Sequence, residues 1–280
     1  MSSVFNIAIR AARKSAKMMT RAANHLETIT IDQKQARDFV SEIDRESERI
    51  LSEEILTAYP KHIIRSEEGG YLRAVKQGEE ISIQQMDAPS KTPEFEWIID
   101  PLDGTTNFLH GHAQYAISMA LLHKGKIVEG LVFAPERNDL YLATNGGGAT
   151  MNDKRIRVSK RLNLNEFLIG TGFPVVEQSM MDEYLAILKQ VLADTSGARR
   201  EGSAALDLCN VAAGRFDGFF EYNLKPWDIA AGALIVQEAG GLVCDFDGEN
   251  GWLDTGNIVA GNEKALAYLL RIIGKYQTTK

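Results

Sequence analysis

The sequence predicts a layered protein, with helices on an antiparallel sheet in its first half and alternating strands and helices in its second half. Three observations support this. Apolar residues recur at helical spacing near the amino terminus, two long apolar strands meet at Lys124-Gly125, and strands alternate with helices from about residue 160. There is no internal repeat and no low-complexity linker. We therefore expect one domain over residues 1–280, an α+β half at about 1–159 packed on an α/β half at about 160–280.

The first half begins with two helices. Residues 3–25 carry an apolar stripe opposite a basic face, and a second helix runs from about Phe39 to Tyr59, where Pro60 ends it. The polar stretch 69–93 shows no clear period and is expected to be a mobile loop or a small hairpin. Strands are expected at 62–66, 95–99, 115–123, 126–134, 140–144 and 156–159.

The second half reads as strands that lead into helices. Ser203 is a good cap for the start of a helix, and Gly240-Gly241 is a suitable helix stop. The expected strands are 167–171, 215–221, 242–246 and 258–260, and the expected helices are about 178–193, 204–213, 226–239 and 262–274.

Composition and charge exclude several classes of protein. The net charge of −7 argues against a general nucleic-acid binder, because phosphate contacts need Lys and Arg. Cys209 and Cys244 lie in apolar runs, which indicates core positions rather than a disulfide framework and fits a reducing compartment. Basic residues interrupt the amino-terminal apolar stripe, and no apolar run approaches the roughly 18 residues of a spanning helix. We therefore expect a soluble, cytoplasmic protein.

Four acidic residues stand at the ends of predicted elements. Glu67 follows one strand, Asp100 and Asp103 follow another, and Asp228 opens a helix. Open α/β sheets place their ligands at such positions. Pro101 restricts the backbone between Asp100 and Asp103, so both carboxylates can face one point.

The ligand type and the adjoining turn indicate the chemistry. The carbonyl of Leu102 can complete an all-oxygen set, which suits Mg²⁺ or Mn²⁺ rather than Zn²⁺. Gly104-Thr105-Thr106 follows, where a helix start would direct N–H groups at an anion. Each acid alone would be read as a cap or a solvated side chain. Together they predict Mg²⁺-dependent hydrolysis of a small phosphate monoester, since a hard cation beside an anion site favours phosphoryl transfer to water.

At these residues the chain resembles the inositol monophosphatase family, and within it the bacterial SuhB-type members. The resemblance covers nearly the whole chain. Three blocks carry it, in the order in which the family has them: Ile64-Arg65-Ser66-Glu67-Glu68, Trp97-Ile98-Ile99-Asp100-Pro101-Leu102-Asp103-Gly104-Thr105-Thr106-Asn107-Phe108 and Lys225-Pro226-Trp227-Asp228-Ile229-Ala230-Ala231-Gly232.

The resemblance implies an αβαβα sandwich of the sugar-phosphatase type, which the family shares with fructose-1,6-bisphosphatase. It also implies a homodimer, two or three Mg²⁺ ions per site with Mn²⁺ as a possible substitute, and inhibition by Li⁺. The implied substrate is myo-inositol 1-phosphate, hydrolysed to inositol and phosphate. One departure stands out, because the stretch Gly69 to Phe95 is longer than the usual bacterial spacing. Metal affinity beside Glu67 and substrate access are the properties that this stretch would affect.

Residue roles follow from the resemblance by motif. The first metal would be held by Glu67, Asp100 and the Leu102 carbonyl, the second by Asp100, Asp103 and Asp228, and a third by Glu67 through water. Glu67 and Thr105 would activate the attacking water, with Asp44 supporting Thr105. The substrate would be bound by the backbone of Gly104, Thr105 and Thr106, by the turn Gly202-Ser203-Ala204 and by Glu221.

Two alternatives stay open at this point. The substrate could instead be fructose 1,6-bisphosphate, histidinol phosphate, NADP or 3′-phosphoadenosine 5′-phosphate. Glu221 favours a polyol, whereas Arg199 and Arg200 could bind the second phosphate of a bisphosphate. SuhB-type proteins are also associated with RNA polymerase and ribosomal RNA transcription. Basic clusters that would support such a role are Arg10, Arg13, Lys14, Lys17 and Arg21, and Lys154, Arg155, Arg157, Lys160 and Arg161.

Overall fold

The structure, a computed structural model, describes residues 3–28, 31–35, 38–78, 80–174 and 178–277. Its α-helices are α1 (Ser3–Ala22), α2 (Glu42–Ala58), α3 (Thr105–Leu109), α4 (Met181–Asp194), α5 (Ala204–Ala212), α6 (Pro226–Glu238), α7 (Trp252–Thr255) and α8 (Glu263–Tyr276). Its strands are β1 (Ile31–Gln35), β2 (Asp38–Ser41), β3 (Ile63–Ser66), β4 (Gly70–Gln77), β5 (Glu80–Met86), β6 (Phe95–Asp103), β7 (Ala116–His123), β8 (Lys126–Ala134), β9 (Asp139–Thr144), β10 (Gly148–Met151), β11 (Lys154–Arg155), β12 (Leu168–Thr171), β13 (Gly197–Arg199), β14 (Gly218–Glu221), β15 (Leu242–Cys244) and β16 (Ile258–Gly261).

Two larger sheets form the framework of the described residues. One has the strand order β11-β10-β9-β8-β7-β6-β3-β4-β5 and is antiparallel except where β3 runs parallel to β6. The other has the order β13-β12-β14-β16-β15, in which β12 is parallel to both of its neighbours. A separate pair, β1 and β2, is antiparallel.

Five layers follow from where the apolar faces pack. Helices α1 and α2 cover one face of the larger sheet, and α5 and α6 lie between the two sheets. The far face of the smaller sheet is covered by α4 and α8. Helix α6 is buried from Ile229 to Val236, as expected of a helix with a sheet on either side. The order is therefore helix, sheet, helix, sheet, helix, and the expected αβαβα sandwich is confirmed.

Several predicted element boundaries were wrong, each because of a local hydrogen bond. The second helix begins at Glu42 rather than Phe39, since residues 38–41 pair with β1. Segment 156–159 is not a strand: Ile156 N–H binds the Ala149 carbonyl and Val158 N–H binds that of Ala239. The N–H groups of Arg215 and Phe216 bind the Asn210 carbonyl of α5, and that of Asp217 binds the Leu168 carbonyl, so β14 begins only at Gly218.

Other elements were left open or missed. Of the two forms expected for the stretch 69–93, the hairpin is confirmed and the mobile loop is wrong. The hairpin consists of β4 and β5 and extends the larger sheet; Glu79 lies outside the described residues. Strand β15 ends at Cys244 because the Asp245 carboxylate accepts three backbone N–H groups of the next turn. The short elements β13 and α7 were not predicted. Within the described ranges, no helix has both the length and the apolar character needed to cross a bilayer.

Candidate active site

Asp100 and Asp103 lie at the end of β6, where the strand carries an irregularity. Asp100 pairs with Ser118 and Asp103 with Ala116, so three steps along β6 match two steps along β7. In a regular strand, residues three apart would point to opposite faces. The extra residue in β6 lets Asp100 and Asp103 point to the same face, as a β-bulge does. The N–H of Leu102 donates to Asp100 Oδ1 at 2.9 Å and so fixes this carboxylate in the bulge.

Glu67 lies beside Asp100 because β3 and β6 are parallel neighbours. Ser66 pairs with Ile99, and the N–H of Glu67 donates to the Ile99 carbonyl at 3.3 Å. Strand β3 therefore ends beside Ile99, and Glu67 emerges next to Asp100. Asp100 itself lies within β6, because this strand continues through Asp103 and does not end at Ile99 as predicted. The predicted grouping of Glu67 with Asp100 follows directly from this parallel pairing.

Asp228 comes to the same place through the first turn of α6. Its Oδ2 accepts the N–H of Lys225 at 2.7 Å, which caps the helix start, and Pro226 occupies the first turn. The hydroxyl of Ser118 donates to the Trp227 carbonyl at 3.0 Å. Since Ser118 is the partner of Asp100 across the sheet, this bond ties the start of α6 to the β6 bulge.

The charges of these acids act on one another. Burial raises the pKa of Asp100 well above its usual value, and the neighbouring charges of Glu67, Asp103 and Asp228 raise it further. The pKa of Asp228 is raised in the same way, by burial and then by the charges of Asp103, Glu67 and Glu221. The carboxylates of Glu67, Asp100, Asp103 and Asp228 are therefore near enough for charge on one to act on another.

Asp103 is held by the start of α5. Its Oδ2 accepts from the Ser203 hydroxyl at 2.6 Å and from the Ala205 N–H at 2.8 Å. Burial raises the pKa of Asp103 to about 6, even though these donors and the charge of Arg200 oppose the rise. The Ser203 hydroxyl also accepts the Leu206 N–H at 3.4 Å, so the predicted helix cap is confirmed.

Gly104 connects this bulge to α3. It has a φ of +93°, and a Cβ there would lie 2.9 Å from the Gln114 carbonyl and 3.2 Å from that of Gly202. Only glycine tolerates both this positive φ and the lack of space for a Cβ. The turn at Gly202 and Ser203 therefore lies directly against the start of α3, which brings together the predicted substrate-binding segments 104–106 and 202–204.

Thr105 and Asp44 are in contact, although they are 61 residues apart in the chain. The Thr105 hydroxyl is directed at Asp44 Oδ1 at 2.9 Å and at the Leu102 carbonyl at 3.1 Å. Asp44 lies in the first turn of α2 and is 1% exposed. With its hydrogen directed at these acceptors, the Thr105 oxygen keeps its lone pairs for another donor.

Glu221 lies at the end of β14, against the backbone of β12. A Cβ on Gly172 would fall 1.8 Å from Glu221 Oε1, so the carboxylate occupies the space that this glycine leaves. Burial raises the pKa of Glu221 to about 8, and Arg200 lowers it in part. The guanidinium of Arg200 lies over the Phe173 ring, 5.4 Å from the ring centre, and so stays near this carboxylate.

Sequence reasoning missed several polar residues of the site. Asp207, in α5, is 1% exposed, and its Oδ1 has no hydrogen-bond partner among the described residues. Burial and the charges of Glu221 and Glu201 raise its pKa well above the usual value. The sequence signal that could have indicated Asp207 was its position as an acid within the apolar run of α5. Glu48 was missed as well, although it lies one helical turn after Asp44.

These residues offer oxygen donors of the type that Mg²⁺ prefers. Among the residues described, no group of three or more His, Cys, Asp or Glu side chains is arranged to hold a metal ion as it stands. Asp100, Asp103 and Asp228 each direct one oxygen to a donor of the protein. A cation would therefore bind their other oxygens. Its charge would offset the burial that raises the pKa of all three acids and the repulsion that adds to it at Asp100 and Asp228. On this chemistry the donor set fits a divalent ion.

Comparison with known proteins gives a consistent result. The model of the inositol monophosphatase family matches residues 1–278. A relative in Neisseria meningitidis named as a putative Nus factor SuhB is 61% identical over 99% of this chain and 100% of its own length. An inositol-1-monophosphatase of Mesorhizobium japonicum is 42% identical over 98% of this chain and 96% of its own.

Solved structures agree with this. The SuhB protein of Bartonella henselae has a TM-score of 0.87 at 42% identity and covers 98% of this chain and 99% of its own. An IMPase of Thermotoga maritima has a TM-score of 0.82 at 33% identity, with coverage of 98% and 97%. The resemblance read from the three sequence blocks is confirmed over the whole fold. The chain belongs to the inositol monophosphatase family.

Proposed function

We propose that the protein is a Mg²⁺-dependent phosphatase of small phosphate monoesters, with myo-inositol 1-phosphate as its preferred substrate. One observation carries the proposal: burial and then the charges of Glu67, Asp103 and Asp228, which come from distant parts of the chain, raise the pKa of Asp100 beside a threonine held by Asp44. Here the acids face each other, which supports a cation site.

Each residue has a role that follows from its position. Glu67, Asp100, Asp103, Asp228 and the Leu102 carbonyl would hold two or three ions, Mg²⁺ in the cell and Mn²⁺ as a substitute. Bound Mg²⁺ would polarise the phosphate and lower the pKa of the attacking water. Thr105 would accept a hydrogen bond from that water, because Asp44 and the Leu102 carbonyl take the threonine's own hydrogen. Glu67 would receive the proton of the water.

The phosphate and the alcohol would contact different elements. The backbone N–H groups at Gly104, Thr105 and Thr106 have no earlier helical turn to bind and would take the phosphate oxygens. Glu221, beside the turn of Gly202, Ser203 and Ala204, would accept hydrogen bonds from the hydroxyls of the alcohol. A polyol supplies such donors. A bisphosphate would instead need Arg200 and Arg199, and a substrate panel distinguishes the two.

The direct test is phosphate release from myo-inositol 1-phosphate in Mg²⁺, with Asp103→Asn as the matched variant. Asparagine keeps the oxygen that accepts from Ser203 and Ala205 but removes the charge. We expect turnover to fall by several orders of magnitude in the variant, and wild-type turnover to be inhibited by Li⁺. Equal turnover in the two proteins would contradict the assignment of Asp103 to a cation. Light scattering on the same samples tests the expected homodimer.

A second function is favoured by the relatives named Nus factor SuhB, which include a protein of Pseudomonas aeruginosa at 42% identity. We propose that the chain also binds RNA polymerase or antitermination proteins in the cytoplasm. On α1, Arg10 and Lys14 pair with Glu54, so Arg13, Lys17 and Arg21 are the exposed basic residues left for a partner. Purified RNA polymerase should bind wild type and Asp103→Asn equally. No binding by either protein would refute this role.

A further inference from the structure

Three polar side chains on one face of helix α2 contact segments of the proposed site. Asp44, Ser47 and Glu48 are spaced so that they share one helix face, and all three are buried. Asp44 accepts from Thr105, and the Ser47 hydroxyl donates to the Pro101 carbonyl at 2.8 Å. Glu48 reaches the remaining segment, the turn that carries Glu67. One face of one helix therefore touches three separate segments of the site.

Glu48 holds this turn through a single oxygen. Its Oε2 accepts from the Ser66 hydroxyl, from the Glu68 N–H at 3.1 Å and from the Gly69 N–H at 2.9 Å. These donors lie on both sides of Glu67 in the chain. Hydrogen bonds to a carboxylate are stronger than neutral ones, so the turn is well restrained at this point.

Gly69 provides the space for this contact. A Cβ there would lie 2.5 Å from Glu48 Oε1, while the backbone is outside the left-handed region. The requirement for glycine is therefore one of space, and alanine would meet no conformational penalty of its own. The Cβ of an alanine at position 69 would push against the Glu48 carboxylate. A substitution of Gly69 and a substitution of Glu48 can therefore disturb the same contact.

We propose that Glu48 is a positioning residue that fixes the Ser66–Gly69 turn and thereby the carboxylate of Glu67 for cation binding. The inference rests on the proposed function, because Glu67 needs a fixed direction only if it serves a cation. Groups that orient metal ligands typically contribute about 10- to 100-fold in metal affinity or activity. Glu48 would contribute in this range although it is itself no ligand.

The test measures Mn²⁺ binding to the metal-free protein by calorimetry, together with kcat and KM. Glu48→Ala and Gly69→Ala should each bind Mn²⁺ about 10- to 100-fold more weakly, with lower kcat and little change in KM. Glu48→Gln should retain most of the affinity, since its amide oxygen accepts the same three donors. Glu46→Ala, on the exposed face of α2 where Glu46 pairs with Arg49, should bind Mn²⁺ as the wild type does.

A double variant makes the test independent of general destabilisation. If both substitutions disturb one contact, Glu48→Ala/Gly69→Ala should lose no more affinity than either single variant. Wild-type Mn²⁺ affinity in both single variants, additive losses in the double variant, or a Glu48→Gln as weak as Glu48→Ala would each overturn the inference. If the wild type neither binds Mn²⁺ nor releases phosphate, the proposed function fails as well. If the wild type does both, Glu67→Gln does neither and the Glu48 variants bind Mn²⁺ as the wild type does, only the role of Glu48 fails.

Discussion

In the candidate site, the Glu221 carboxylate occupies the space that the missing side chain of Gly172 leaves. Because a Cβ on Gly172 would fall 1.8 Å from Glu221 Oε1, Gly172→Ala must displace the carboxylate. Loss of a hydrogen bond to a charged group costs about 1.5–3 kcal/mol, which is roughly tenfold or more in affinity. We expect KM for myo-inositol 1-phosphate to rise about tenfold.

Steady-state kinetics with two substrates checks this expectation. An aryl phosphate has no hydroxyls for Glu221 to contact, so its KM should stay near the wild-type value in Gly172→Ala. Glu221→Ala should show the same selective effect. An equal rise for both substrates would mean that Glu221 does not contact the alcohol.

At the residue scale, sequence reasoning found the acids but not what orients them. Glu67, Asp100, Asp103 and Asp228 were predictable because metal chemistry restricts residue type and because each stands at an element end. Glu48 and Asp207 were not, since a buried acid within a helix looks the same in sequence as an exposed one. Their positions depend on which elements pack together.

Helix α3 is joined to the second half of the protein by one side chain. Asn107 Nδ2 lies 2.7 Å from the Gln114 carbonyl, 2.8 Å from that of Glu201 and 3.3 Å from that of Gly202. These contacts hold the start of α3 against the Gly202 turn. The proposed phosphate-binding N–H groups and the proposed alcohol-binding turn therefore share one anchor.

We expect Asn107→Ala to destabilise the protein by about 1 kcal/mol, because it removes the donor of three partly buried hydrogen bonds. Phosphate release should fall in parallel, since the two substrate segments lose their common anchor. Chemical denaturation gives the free energy of unfolding. Asn24→Ala is the matched control, as Asn24 makes one exposed bond to the Thr20 carbonyl and should cost little. Equal stability of the two variants would refute the anchoring role of Asn107.

At the element scale, long periodic segments were predicted well and short ones poorly. Helices α1 and α8 have repeating apolar patterns that tertiary contacts reinforce. Strand β13, with three residues, has no pattern to read, and it exists because β12 offers it a parallel edge. The β4–β5 hairpin also lacks a readable pattern, because its residues are largely polar. Its pairing with β3 organises it.

Across the whole molecule, folding buries acidic groups of the metal-free site, and the cost of this burial depends on pH. Burial raises the pKa of Asp103 to about 6 and that of Glu221 to about 8, above their unfolded values of 3.8 and 4.5. The folded state therefore binds more protons than the unfolded state between about pH 4 and pH 8. Stability from these groups is complete below the unfolded values and is lost as the pH rises through the folded ones.

We therefore expect the Tm of the metal-free protein to fall between pH 5 and pH 8, and Mg²⁺ to restore it at pH 8 by binding the folded state. Asp103→Asn should have a higher Tm than wild type at pH 8 without metal, and a smaller gain on adding Mg²⁺. Scanning calorimetry measures both. A metal-free Tm that rises over this pH range would contradict the account.

At this largest scale, the layer order was predicted through the family resemblance rather than from periodicity. The alternating pattern from residue 160 indicated an α/β half, and the hairpin signal at Lys124-Gly125 indicated an antiparallel one. These sequence patterns did not indicate which helices lie between the two sheets. The burial of α6 on all sides depends on Gly130, where a Cβ would lie 2.9 Å from the Ala231 carbonyl and keep the helix from the sheet.

The central claim is that three acidic segments hold divalent cations beside a phosphate site. Crystals soaked in Mn²⁺ and phosphate, with diffraction measured at an energy where manganese scatters anomalously, test it most directly. We expect anomalous peaks at roughly 2.0–2.3 Å from oxygens of Glu67, Asp100, Asp103 and Asp228, with phosphate at the start of α3. Phosphate bound there without any anomalous peak among these carboxylates would contradict the claim.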